Sequence, residues 1–176
     1  MDGKELILWS VRIGLVCYAI FCYRVLQGHF SGVERMPKAV QGDRWWWTLT
    51  GVFFVLHFLA AFHFRHHWSH QHAFDHTAQR TGQMLGWEFG YGLYFNYGFL
   101  VLWMMDLAWW WGSTASYLRR ASWVRWSIHG YFLFVIINGA VVFVTGPTRW
   151  ISLSVLCLVG ILWGRRVLGK TESAPS

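Results

Sequence analysis

The sequence predicts an all-α integral membrane protein, a helical bundle of about five transmembrane helices with a histidine-rich segment after the second. Three observations predict it. Hydrophobic residues make up 55% of the 176 positions and charged residues 13%, against about 25% charged in an ordinary soluble domain. Aromatic residues reach 20%, with 14 Trp and 14 Phe. The apolar residues gather into five runs, each near the ~20 residues that carry a helix across a bilayer. This composition excludes a disordered chain, a nucleic-acid-binding tail and a disulfide-stapled miniprotein. Mean hydropathy is only +0.32, because Trp, Tyr and nine His lower the average while suiting a membrane interface.

The first run, Leu6–Leu26, carries Arg12 within it. The residues before it, Met1-Asp2-Gly3-Lys4-Glu5, lack a basic leader and a small-residue cleavage site, so it reads as a retained span and not a cleaved signal. The second run is Trp45–Phe64 and the fourth Trp123–Thr145. The third, Met84–Trp111, is longer than a span needs and is expected to tilt or extend beyond the bilayer. Gly82, Gly86 and Gly90 fall every fourth residue, which predicts a small-residue stripe on that helix where another helix packs. The fifth run, Trp150–Leu168, holds fifteen residues before Arg165. Gly146-Pro147 in the link before it makes a tight turn, so the last two spans are expected to be antiparallel neighbours. Residues 1–170 are expected to form one transmembrane domain, and 171–176 a short polar tail expected to fray.

Fifteen Lys and Arg against eight Asp and Glu give a formal net charge of +7. In a soluble chain this would point to nucleic acid; here the basic residues sit at the ends of apolar runs, where they orient helices and meet anionic head groups. No nucleic-acid partner is expected. The lipid bilayer is, with other membrane subunits as further candidates. Arg24, Arg35, Lys38, Arg44, Arg119, Arg120, Arg125, Arg165, Arg166 and Lys170 fall on one side, and Lys4, Arg12, Arg65, Arg80 and Arg149 on the other. That asymmetry predicts an outside N-terminus and a cytoplasmic C-terminus. Tryptophans mark the same two levels. Trp45, Trp46, Trp47, Trp109, Trp110, Trp111, Trp123, Trp126 and Trp163 fall at inner ends, and Trp9, Trp68, Trp87 and Trp150 at outer ends. Cys17, Cys22 and Cys157 lie inside apolar runs and indicate neither a disulfide framework nor a thiolate metal site.

Six of the nine histidines lie within His63–His76. If the second helix continues outward, His63, His66, His67 and His70 fall within an arc of about 100°, while His72 and His76 point roughly the opposite way. Neutral imidazole is the commonest biological ligand for Zn, Fe, Cu and Ni, and i,i+3 and i,i+4 spacings bring side chains within reach of one ion. A site for Fe, Zn or Cu is therefore expected on these residues, with Asp75, His72, His76 or Glu88 as further ligands. Arg12 lies at similar depth to Glu88, so an Arg12–Glu88 ion pair is the competing expectation. The bland alternative for the segment is a solvated turn or a patch that charges between about pH 5 and 8.

His63-Phe-Arg-His66-His67 resembles the His-x-x-His-His box of the membrane fatty acid desaturases and hydroxylases, and His72-Ala-Phe-Asp-His76 resembles their His-x-x-x-His box. Those enzymes hold two irons with several boxes on distant segments and act on the cytosolic side. This chain has both boxes fused in one segment, has no third box, and is expected to carry the segment outside. The likeness is one of ligand chemistry and not of membership.

Two further histidines lie within the spans. His57 and His129 could serve as axial ligands of a b-type haem, the second choice of cofactor, although their depths differ by about 9 Å. Asp106 lies at a depth similar to His129, which predicts an Asp106–His129 hydrogen bond pinning two helices, or one step of a proton path. Asn96 and Asn138 are expected to bond across helices. These residues support two functional readings. One is a metal-dependent membrane protein whose ion, in an enzyme, would act on an apolar substrate entering from the lipid. The other is a non-enzymatic membrane subunit or assembly factor with structural or pH-responsive histidines. Metal transport is a third, for which Asp106, Asn138 and His129 supply only fragments of a polar path.

Overall fold

The computed structural model describes residues 2–30 and 37–139, together with positions 149, 150, 153, 154 and 157. The described elements are all helical: α1 (Gly3–Phe30), α2 (Pro37–Phe64), α3 (His70–Leu85), α4 (Gly92–Gly112), α5 (Thr114–Leu118) and α6 (Ser122–Ile137). Two of these helices are long and apolar enough to cross a membrane, over Gly3–Val25 and Lys38–Phe64. The fifth run Trp150–Leu168, the Gly146-Pro147 turn, Trp163 and the 171–176 tail lie outside the described residues, apart from the isolated positions named above.

α1 and α2 form an antiparallel hairpin. His57 of α2 bonds through Nδ1 to the Ile7 carbonyl at one end (2.9 Å), and Arg24 Nε donates to Asp43 Oδ1 at the other (2.8 Å). α2 begins at Pro37, well before the run that starts at Trp45, because the fixed φ of proline suits a first helical position. α4 packs antiparallel on α2. Gly51 makes this approach possible: a Cβ there would lie 2.8 Å from Trp103 Nε1 and 3.0 Å from Leu107 Cδ1.

Aromatic stacking fills the centre. Trp47 stacks on Trp103 with ring centroids 4.1 Å apart, and Trp103 stacks on Phe132 of α6 at 4.4 Å. Such pairs contribute about 0.5–1.5 kcal/mol each beyond the area they bury. The stack joins α2, α4 and α6 through side-chain packing.

Asp106 lies within this core and accepts three hydrogen bonds: from Trp47 Nε1 (2.8 Å), from the Tyr117 hydroxyl (2.9 Å) and from Arg120 Nη1 (2.7 Å). The Asp106 side chain is 0% exposed and that of Arg120 4%. The expected Asp106–His129 bond does not form. Arg120 stands between them, with its Nη2 3.4 Å from His129 Nε2, because a carboxylate in this setting gains more from a cation than from a neutral imidazole.

Other expectations are corrected. The third run is not one helix from Met84: α3 ends at Leu85, the chain turns over 86–91, and α4 starts at Gly92. Gly86 caps α3 in the left-handed conformation (φ 80°), which breaks the glycine stripe, and Gly90 belongs to the turn. Arg12 and Glu88 are both exposed and unpaired with each other; the Arg12 guanidinium lies 5.3 Å from the Trp9 ring. Trp47 and Trp110 are core residues and not part of an interfacial belt, whereas Trp45, Trp111, Trp123 and Trp126 are exposed. Asn138 donates to the Phe134 carbonyl of its own helix (2.7 Å), and Asn96 is exposed. The three cysteines are free.

Two sets of variants test this packing. Gly51→Ala forces a methyl group into the Trp103 edge and is expected to cost about 1–3 kcal/mol, read as a lowered unfolding midpoint in detergent. Gly112→Ala, with open space at its Cβ position, should leave the midpoint unchanged or raised. Asp106→Ala strands the Arg120 charge and is expected to cost about 3–5 kcal/mol, while the double substitution Asp106→Leu/Arg120→Met recovers much of that loss. Equal loss in single and double variants would show that the pair is not coupled.

Candidate functional site

The histidine segment begins where α2 ends. The amides of Arg65 and His66 both donate to the Ala61 carbonyl (2.9 and 3.2 Å), and the Trp68 amide donates to the Phe62 carbonyl (2.9 Å). His67 and Trp68 take positive φ, 49° and 60°, a region that side chains enter at a cost of about 1–3 kcal/mol per residue. The helix therefore unwinds at Phe64, and the continuous arc of His63, His66, His67 and His70 does not exist. α3 starts afresh at His70, with the Ser69 hydroxyl accepting from the His72 amide (3.2 Å) as its N-cap.

This turn directs His66 inward. It is buried, at 8% exposure, with its ring edge-on to Phe62 (5.6 Å between centroids). His72 and His76, one turn apart on α3, lie against it at 5.4 and 5.3 Å. The Nδ1 of His66 is buried without a hydrogen-bond partner. Burial, reinforced by the neighbouring His76 and His72 and by Arg65 and His67, pulls the His66 pKa down to about 4. Burial, with Arg65, Arg80 and His72, also lowers that of His76. Both imidazoles are thus neutral at neutral pH, the form in which imidazole ligates metals.

The other candidates are placed elsewhere. His63 accepts from Trp68 Nε1 at 3.1 Å and packs on Phe64. His67 is exposed on the strained turn. His70 lies between two phenols, with Nδ1 2.9 Å from the Tyr97 hydroxyl and Nε2 3.3 Å from that of Tyr94. Asp75 accepts from Gln71 (2.8 Å) on the exposed side of α3, and Glu88 is exposed in the 86–91 turn. Of the eight residues expected to ligate, the fold brings together His66, His72 and His76. Among the described residues no three His, Cys, Asp or Glu side chains form a group ready to hold a metal ion, so these three rings are neighbours whose donor atoms do not converge.

His57 and His129 do not suit opposite ligands of one haem iron. His57 is bonded to Ile7 of α1, whereas His129 lies 5.3 Å from the Trp47 ring, about 15 Å of helical rise from His57. Tyr94 and Tyr97, which carry no ligand motif of their own, hold His70 away from the other imidazoles. Their i,i+3 spacing, opposite a capped helix start at Ser69, is the only sequence signal that foreshadows this.

No known protein family, curated protein or solved structure matches the chain.

The lowered His66 and His76 pKa values fix the sign of a pH effect. Between about pH 6.5 and 4 the unfolded chain binds protons at these positions that the folded chain does not. Their stabilising contribution is complete above that window and is lost as pH falls through it. The unfolding midpoint of metal-free protein should drop from pH 7 to pH 4.5, and His66→Gln should shrink that drop. An identical pH profile for the variant would refute the assignment.

Proposed function

We propose that this chain is a five-span membrane protein that holds a transition metal ion, Fe, Zn or Cu, on His66, His72 and His76 at the outer face of the bilayer. One observation carries the reading: a buried imidazole nitrogen with no partner, set beside two more imidazoles. A buried polar atom left unsatisfied is costly and calls for an account. An ion that turns three neighbouring rings toward one centre satisfies it. The neutral state of His66 and His76 supports this, because no proton has to be displaced before the nitrogens can ligate.

The span count extends the two clearly apolar helices by α4, α6 and the 150–168 run. α4, at 21 residues, is about 31 Å long by helical rise, close to the ~30 Å hydrocarbon core. The excess of Lys and Arg at the α1–α2, α4–α6 and C-terminal positions supports an outside N-terminus. Three imidazoles leave a coordination position open, as catalytic metal sites do. With Phe62, Phe58 and Tyr97 packed beneath His66, an apolar molecule arriving from the lipid is the substrate class such a centre would meet.

A second reading has its own observation. His63 and His70 are occupied by Trp68, Tyr94 and Tyr97, which is structural use of histidine, and a non-enzymatic membrane subunit whose remaining imidazoles respond to pH would be built the same way. Elemental analysis separates the two. Protein purified in detergent should carry about one Fe, Zn or Cu per chain. His66→Ala, His72→Ala and His76→Ala should each lose it, and His63→Ala and His67→Ala should retain it. Metal-free protein from every preparation, with no uptake on titration with these ions, would overturn the metal reading in favour of the second.

A further inference from the structure

α3 has two opposed flanks. Phe74 and Leu85, eleven residues apart, lie within about 20° of each other around the helix axis, while His72 and His76 lie about 160° from Phe74. An exposed polar row starts between the flanks at Gln71 and Asp75 and joins the histidine flank at Gln79 and Gln83. The 86–91 turn folds back along the aromatic flank. Gly86 reverses the chain at φ 80°, and Gly90 comes so close to Phe74 that a Cβ there would collide with the Phe74 ring.

The turn adds its own rings to that flank: Trp87 stacks on Phe89 at 5.9 Å, Phe89 lies 5.8 Å from Tyr91, and Tyr91 meets Phe74 at 5.3 Å. Leu85, Trp87 and Tyr91 are 57–63% exposed. The one acid in the turn, Glu88, is exposed beside α3, its Cγ 3.0 Å from where a Cβ on Gly82 would be.

We propose that α3 and the 86–91 turn lie in the head-group layer of the bilayer, aromatic flank toward the lipid and histidine flank toward water. This rests on the membrane-spanning reading and adds what that reading does not require, a surface-lying segment between two crossing helices. Two features select lipid as the occupant. The exposed set at the turn includes Trp87, Tyr91 and Tyr94, whose rings carry one apolar face and one polar tip, as an interface demands. Apolar residues are also exposed along α4: Tyr91 stacks on Tyr94 at 6.0 Å, and Phe95, Val101, Met104 and Met105 beyond it are exposed. The anchor holds the His66–His72–His76 cluster at the membrane surface, with His72 open to water and His66 seated on Phe62.

Photo-crosslinking of the full chain in phosphatidylcholine nanodiscs tests this. p-Benzoylphenylalanine replaces Trp87, Gln79 or Val101 in separate samples, and adducts are identified by mass spectrometry. Lipid adducts are expected at Trp87 and Val101, with about ten-fold fewer at Gln79. Lipid adducts at Val101 but none at Trp87, adducts at Trp87 only to a second copy of the chain, or equal lipid adducts at Trp87 and Gln79 would each overturn the proposal while leaving the spans standing. No lipid adduct at Val101 would overturn the spanning role of α4 and the proposal with it.

Discussion

Asp106 and Arg120 are withdrawn from water together, and the helices around them meet on the terms this pair sets. A buried carboxylate and guanidinium lose several kcal/mol of solvation apiece, and their attraction offsets this only when geometry is good and the remaining polar atoms are satisfied. Here the carboxylate takes donors from α2 through Trp47, from α5 through Tyr117 and from the chain just beyond it through Arg120. The Arg120 guanidinium in turn covers the Tyr117 ring at 3.8 Å and reaches His129 of α6. Four helices are thereby required to meet at one point, and the Trp47–Trp103–Phe132 stack packs around it.

At the other end of α2 the organising event is an unwinding. Two successive residues with side chains adopt positive φ, a strain the surroundings have to sustain. The unwinding aims His66 inward and lets α3 start afresh at an angle that lays His72 and His76 beside it. The strained turn adjoins the buried His66 Nδ1, which has no hydrogen-bond partner. Holding the three rings together depends on Ser69, whose hydroxyl caps α3, and on Tyr94 and Tyr97, which draw His70 to the opposite flank.

Some of this was legible in the residues alone. Ser69 and Gly86 are ordinary start and stop signals, and with them α3 could have been marked between the second and third runs. They are masked by composition: Met84–Trp111 stays apolar across the break, because the turn residues Trp87, Phe89 and Tyr91 are as hydrophobic as the helix they precede. The tryptophans misled in a related way. Trp45, Trp46 and Trp47 are consecutive, but 100° of rotation per residue turns Trp47 into the core while Trp45 stays outside. An interfacial belt and a stacked core draw on the same residue type.

Composition and local periodicity, which act within a single helix, were enough for the helical class, the apolar character of α1 and α2, and the concentration of imidazoles in one short stretch. Which imidazoles meet, which tryptophans are buried and which cation Asp106 takes were decided only in three dimensions. Each depends on where one helix stops and on the direction in which the next leaves. That direction is set by two backbone angles near His67 and by a buried charge pair whose partners lie fourteen residues apart along the chain.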